Sequence, residues 1–218
     1  MNKEWSELNK SIQNNIGKKE TFSIGIAELL SLRNSLMDAL NSLRTELRDE
    51  QFSACPFINT NGYHNKTIAY SIWHVFRIED IVAHSVINDS EQVFFANDYS
   101  RRMNAPITTT GNELEKEQIV EFSRDLNIDE LYNYAKQVKA STEDYLNKLS
   151  FEDLRTKPTG NREKIENVSV AMNEYAEWLI DYWFYKDIKG LILMPFSRHW
   201  IMHIEAALRI KNKLLGND

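Results

Sequence analysis

Apolar residues recur along most of this chain at intervals of three, four and seven, the spacing that gathers side chains on one face of an α-helix. The clearest run lies between residues 21 and 50, where Phe22, Ile26, Leu29, Leu36, Leu40, Leu43 and Leu47 form one stripe and Thr21 is placed to cap it. A helix this long belongs in a bundle, because its apolar face has to be buried against another. Residues 51–65 hold Pro56, Asn59, Asn61, Gly62 and Asn65 and read as a loop, with Asn65 or Thr67 capping the next helix. That second helix, about 67–88, is apolar around more than half its circumference, which predicts burial on several sides.

Residues 89–112 lack sustained periodicity. Asp98, Asn104, Pro106, a threonine triplet and Gly111 supply turn chemistry instead, as in a lid or a crossover. A short helix is expected over 113–124 and a third long one over 128–149, capped by Asn127 or Asp129. Residues 150–168 read as a loop, 169–189 as an aromatic helix, and the last long helix as starting near Pro195 and ending before Gly216. The first 17 residues read as a short outer helix anchored by Trp5. No segment alternates like a strand and no repeat is present, so the expected fold is all-α: an antiparallel four-helix bundle with accessory helices. One domain is expected over 1–218, with its core at 20–215 and accessory segments at 1–17, 89–127 and 169–189.

Against this pattern, His199 and His203 in RHWIMHIEAALRIK stand out, because they share a stripe with Ala206, Ile210 and Leu214 and therefore point inward. His74, within the apolar TIAYSIWHVFRIEDIVAH, is their natural partner, since buried imidazoles need hydrogen bonds or a metal. Three such histidines form a candidate metal site, and they leave positions open on a zinc or nickel ion. Trp200 follows His199 where a zinc protease carries its glutamate, so peptide hydrolysis is disfavoured.

The other two histidines read differently. His84 lies too far along the helix from His74 to share an ion and is expected to meet the negative helix end as a cation. His64 reads as a loop residue, with an additional ligand or substrate contact as the alternative. Glu79 and Asp80 are odd in an apolar helix; either could orient a metal-bound histidine or pair with Arg77, Arg198 or Arg209. Core packing is expected for Trp73 and Trp200, and solvent for Glu205. Trp178, Tyr182, Trp183, Phe184 and Tyr185 suit a core or interface better than a pocket wall.

Composition narrows the classes further. A net charge of -6 gives no general attraction to nucleic acid or anionic membranes. The apolar windows at 178–185 and 191–196 fall far short of the roughly 20 residues a membrane span needs, and no secretory signal is evident at the start. A single cysteine, Cys55, excludes an intrachain disulfide, fits a reducing compartment and reads as a packed thiol. A cytoplasmic protein is expected.

The pairing of IWHVFRIEDI with RHWIMHIEAALRIK resembles the DinB-like, or YfiT-like, superfamily of metal-binding four-helix bundles, over about residues 20–215. Trp73-His74 and the acidic pair Glu79-Asp80 are similar to that family too, whereas Ile204-Glu205-Ala206 departs from the further histidine and Arg-Gly segment of many members. The resemblance implies a divalent metal, zinc or nickel, on His74, His199 and His203. It also implies transfer of a low-molecular-weight thiol, such as bacillithiol, to small electrophiles. The alternative is a non-catalytic, stress-associated metal-binding protein that forms a homodimer through its aromatic helix.

Overall fold

The computed structural model describes residues 2–169 and 174–217, and among these every regular element is helical. None of the described helices is long and apolar enough to cross a membrane. Helix α1 (Lys3–Ile16) starts at Asn2, whose side chain accepts the amides of Glu4 and Trp5, and it folds back along α2 (Phe22–Glu46). Trp5 is buried there, its indole donating to Ser35 Oγ at 2.9 Å. The two helices approach so closely that a Cβ on Gly25 would meet the Ile16 amide nitrogen at 2.6 Å, so only glycine fits.

Helix α3 (Ile68–Asp80) is capped by Thr67 and buried along its whole length, as its apolar circumference predicts. It then widens into a π-helical stretch, Ile81–Ile87. After the turns at Val93–Ala96 and Tyr99–Arg102 come α4 (Glu117–Asp125) and α5 (Ile128–Lys148), the latter capped by Asn127. The expected loop at 150–168 instead contains a 3-10 turn, Glu152–Arg155, and α6 (Arg162–Ser169). Helix α6 gave no apolar stripe because it is held by charge: Asn161 caps it, Arg162 pairs with Glu166 at 2.6 Å, and Ile165 is buried on its inner side.

The aromatic helix is divided. Part of its expected range, 170–173, lies outside the described residues; α7 (Glu174–Tyr185) is followed by a separate α8 (Ile188–Leu193), which Asp187 caps. The last long helix also begins later than Pro195 suggested. A π-helical turn, Met194–Arg198, leads into α9 (His199–Leu215), which ends at left-handed Gly216.

Helices α2, α3, α5 and α9 form the bundle, each touching its neighbours in a closed cycle. Cross-helix bonds give their directions. Tyr132 on α5 reaches the Leu40 carbonyl of α2 while Lys139 reaches Asn34, so this pair is antiparallel. So are α3 and α9, where His74 lies by His203 and Glu79 by Trp200. Helices α3 and α5 run parallel, with Tyr134 on the Phe76 carbonyl and Ser141 on His84; α2 and α9 do likewise. A parallel pair cannot be joined by a tight turn, and residues 89–127 provide the long crossover between α3 and α5. Asp80 fastens it by accepting the Val93 and Phe94 amides at 2.9 Å, and Arg77 by donating to the Thr108 carbonyl at 2.6 Å.

The bundle centre holds an ion pair. Arg33 of α2 and Glu79 of α3 are fully buried and bonded twice, at 2.7 and 2.9 Å. Trp200 of α9 donates to the same carboxylate at 2.7 Å and lies under the guanidinium at 4.4 Å. Arg33 also reaches Glu143 on α5 and the Phe196 carbonyl, so it bonds to all the other long helices or their approaches. Glu79 thus pairs with an arginine outside those the local sequence suggested, and Asp80 pairs with Arg77 at 3.3 Å and with His84. The Glu79→Ala variant, which leaves Arg33 buried and unpaired, is expected to lose about 3–5 kcal/mol in chemical denaturation. The Arg33→Met, Glu79→Leu double variant is expected to recover part of that loss; a double variant less stable than Glu79→Ala would contradict it.

Candidate metal centre

His74 enters from the middle of α3, while His199 and His203 enter one turn apart from the start of α9. Their ring centroids are separated by 5.1 Å (His74–His199), 4.8 Å (His74–His203) and 4.6 Å (His199–His203). One nitrogen from each lies within 4.8 Å of the others, and all three side chains are buried. Each of the three residues expected from sequence therefore converges on one point.

The surroundings prepare the rings as ligands. His74 Nδ1 lies 2.8 Å from the Thr110 carbonyl, which can only accept, so Nδ1 carries the proton and Nε2 keeps its lone pair for the centre. Tyr70 stacks on His74 at 5.5 Å and donates to the Gly111 carbonyl at 3.0 Å, clamping the same loop. Gly111 has a φ of +80°, and a Cβ there would approach the Tyr70 ring to 3.0 Å. The threonine triplet and Gly111, legible in sequence only as turn residues, are thus the outer support of a candidate ligand.

Burial drives His74 down to about 4, against the opposing effect of the Thr110 bond. His199 and His203 lie well below the ordinary imidazole range, from burial first and then from neighbouring histidines. All three are neutral at pH 7. The Nδ1 atoms of His199 and His203 are buried without a hydrogen-bond partner among the described residues, a cost of about 1–3 kcal/mol each that a natural fold rarely carries without use. Neutral imidazoles with unpartnered nitrogens around one point are the donor set that a borderline divalent cation completes.

A cavity of about 360 Å³ opens directly onto the three rings. Trp178, Tyr182 and Trp183 of α7 form one wall and Met194 and Pro195 of the π-helical turn another. So part of the aromatic cluster lines a pocket, contrary to the core or interface reading; Tyr185 instead faces solvent at 79% exposure. Tyr63 packs edge-on against His203 at 5.2 Å, and Asn112 also lines the cavity; neither drew notice in the sequence.

The remaining candidates fall elsewhere. His64 packs on Phe57 at 5.0 Å, in a neighbouring cleft that also holds Glu205 and Arg209. Glu205 is half-buried and accepts the Asn2 amide. His84 is no isolated helix-end cation: its Nε2 meets Ser141 at 2.8 Å and its Nδ1 meets Asp80. Burial acts to lower its pKa, yet the bonds to Asp80 outweigh this and the net shift is upward. Burial pushes the half-buried Cys55 thiol up, away from a reactive thiolate. Trp73 and Trp200 are fully buried, as expected.

No protein-family model and no curated protein sequence matches the chain. Among solved structures, it is similar to a conserved protein from Enterococcus faecalis, with a TM-score of 0.62 and 13% identity over 88% of this chain and 95% of that one. That likeness shows a shared fold.

The three depressed histidines set a pH dependence for the metal-free protein. Below the ordinary imidazole value of about 6.5, the unfolded chain takes protons that the folded one refuses, so stability falls as pH falls. His84, shifted the other way, contributes the opposite sign, one group against three. Melting temperature is expected to drop between pH 6.5 and 5, and His203→Leu to reduce the slope by up to about 1.4 kcal/mol per pH unit. Identical slopes in the two proteins would refute this.

Proposed function

We propose that His74, His199 and His203 hold a divalent cation, zinc or nickel, and that the protein is a DinB-like enzyme transferring a small thiol such as bacillithiol to an electrophile. The observation that carries this reading is the convergence of three buried, neutral imidazoles at a cavity open to one side. Three protein ligands leave coordination positions open, as in catalytic rather than structural sites. A bound divalent ion supplies acidity, holding a thiol as its thiolate at neutral pH.

The chain's own residues do the rest. Thr110 fixes the His74 tautomer, and α7 and the π-helical turn supply apolar walls beside the reacting centre. In the transfer, sulfur forms a bond to an electrophilic carbon, the leaving group departs with its electron pair, and the thiol proton passes to solvent. The second reading, a non-catalytic, stress-associated metal-binding protein that dimerises, draws on the exposure of Trp178 (57%) and Tyr185 (79%) on α7. A cytoplasmic location belongs to both readings.

Elemental analysis of the purified protein is expected to find about one zinc or nickel per chain. His74→Ala is expected to weaken metal binding by at least about a hundredfold with the helical circular dichroism unchanged. Equal uptake by wild type and by a His74→Ala, His199→Ala double variant would remove the metal reading. With cobalt in place of the native ion, bacillithiol is expected to add a thiolate absorption band and to react faster with test electrophiles. Metal uptake without either effect selects the non-catalytic reading, and sedimentation analysis then reports whether the protein is a dimer.

A further inference from the structure

The cavity beside the histidines differs from the cleft next to it in one physical respect. No described residue lining the cavity is ionised at neutral pH; beside the three neutral imidazoles and the Asn112 carboxamide, its walls are indole, phenol, thioether and aliphatic groups. The neighbouring cleft carries Glu205, Arg209, His64 and Asn212. Tyr63 and Met202 line both spaces and form the partition between them. The nearby cation Lys66 stays outside the cavity, over the Tyr70 ring at 5.5 Å.

A charged group placed in the cavity would leave water without touching an ionised side chain among the described lining residues, Lys66 acting on His74 and His203 from beside the Tyr70 ring, whereas a flat apolar body would gain contact with Trp178, Trp183 and Ile78. Asn112, whose carboxamide has no hydrogen-bond partner among the described residues, can meet one neutral polar substituent. A volume of about 360 Å³ falls within the range of small-molecule sites.

We infer that the cavity is the subsite for an uncharged, flat, aromatic reactant, and that the charged part of any co-reactant lies in the neighbouring cleft, across Tyr63 and Met202. The assignment of this molecule as the electrophile rests on the transfer reading above; its binding to the cavity does not. Trp178 and Trp183 grip the aromatic body, Tyr63 closes the rim beside His203, and the three histidines face the reacting end.

The test uses two probes with one scaffold: neutral N-phenyl-1-naphthylamine and its sulfonated analogue 1-anilinonaphthalene-8-sulfonate. Both are titrated into the metal-free protein, where no described lining side chain carries a positive charge to contact the sulfonate, and into the zinc-loaded protein. Binding is read as probe emission excited through tryptophan. In the metal-free protein the neutral probe is expected to bind at least about tenfold tighter, because the sulfonate would be desolvated without a partner. Trp178→Ala, at an exposed position that leaves the bundle intact, is expected to weaken the neutral probe by about fivefold through lost aromatic contact, with an unchanged melting temperature.

Equal or tighter binding of the sulfonated probe to the metal-free protein overturns the inference, as does a Trp178→Ala variant with unaltered affinity for the neutral one. Zinc uptake, followed separately by elemental analysis, keeps the two ideas apart. Selective binding of the neutral probe without zinc uptake removes the metal reading and leaves the apolar subsite; zinc uptake without selective binding does the reverse.

Discussion

Two opposite charges are held out of water at the middle of the bundle, and the rest of the architecture is arranged around keeping them paired. Arg33 and Glu79 have no exposed surface, so any movement of α2 against α3 would strand an ion in a medium that cannot solvate it. Trp200 adds α9 to the same contact through a bond to the carboxylate. Because Trp200 sits between His199 and His203 in sequence, and Glu79 follows His74 by little more than a turn, this contact also fixes the rotation and height of both histidine-bearing helices. Such a pair adds little net stability compared with an apolar replacement. What it supplies here is a unique register.

The histidines were legible because they violate a pattern. Imidazoles on an inward stripe are conspicuous among leucines and isoleucines, and the geometry of a helix carries that information across its length. Other parts of the site left no such trace. Arg33 reads locally as an ordinary polar position in a surface-type helix, and only the tertiary fold reveals that it is buried against an acid 46 residues away. Thr110 acts through its backbone carbonyl, so its side-chain type says nothing about its role. Tyr63 belongs to a loop, where no periodicity assigns a direction to a side chain. The charged helix α6 escaped for a related reason: its cap and ion pairs stabilise it without an apolar stripe.

Both π-helical stretches adjoin the helices that carry the three histidines, one at the end of α3 and one at the start of α9. A wider turn shifts the phase of everything beyond it. Met194–Arg198 turns Pro195 toward the cavity while sending the Phe196 carbonyl to Arg33, and the regular helix resumes at His199. Within the stretch Ile81–Ile87, His84 meets Asp80 and Ser141. Pocket wall and ionic core are thus served from consecutive residues of the Met194–Arg198 turn.

The wide sequence separation of the ligands also bears on how the protein is made. His74 is synthesised 125 residues before His199, and the crossover that supports it comes between the two. At about 5–20 residues per second, the earlier imidazole waits several seconds on the ribosome with neither partner present. The three imidazoles therefore come together only after α9 has been made. A cation that binds them would be drawn from the pool met once α9 is in place, through competition among the ions available there and not through the order of translation.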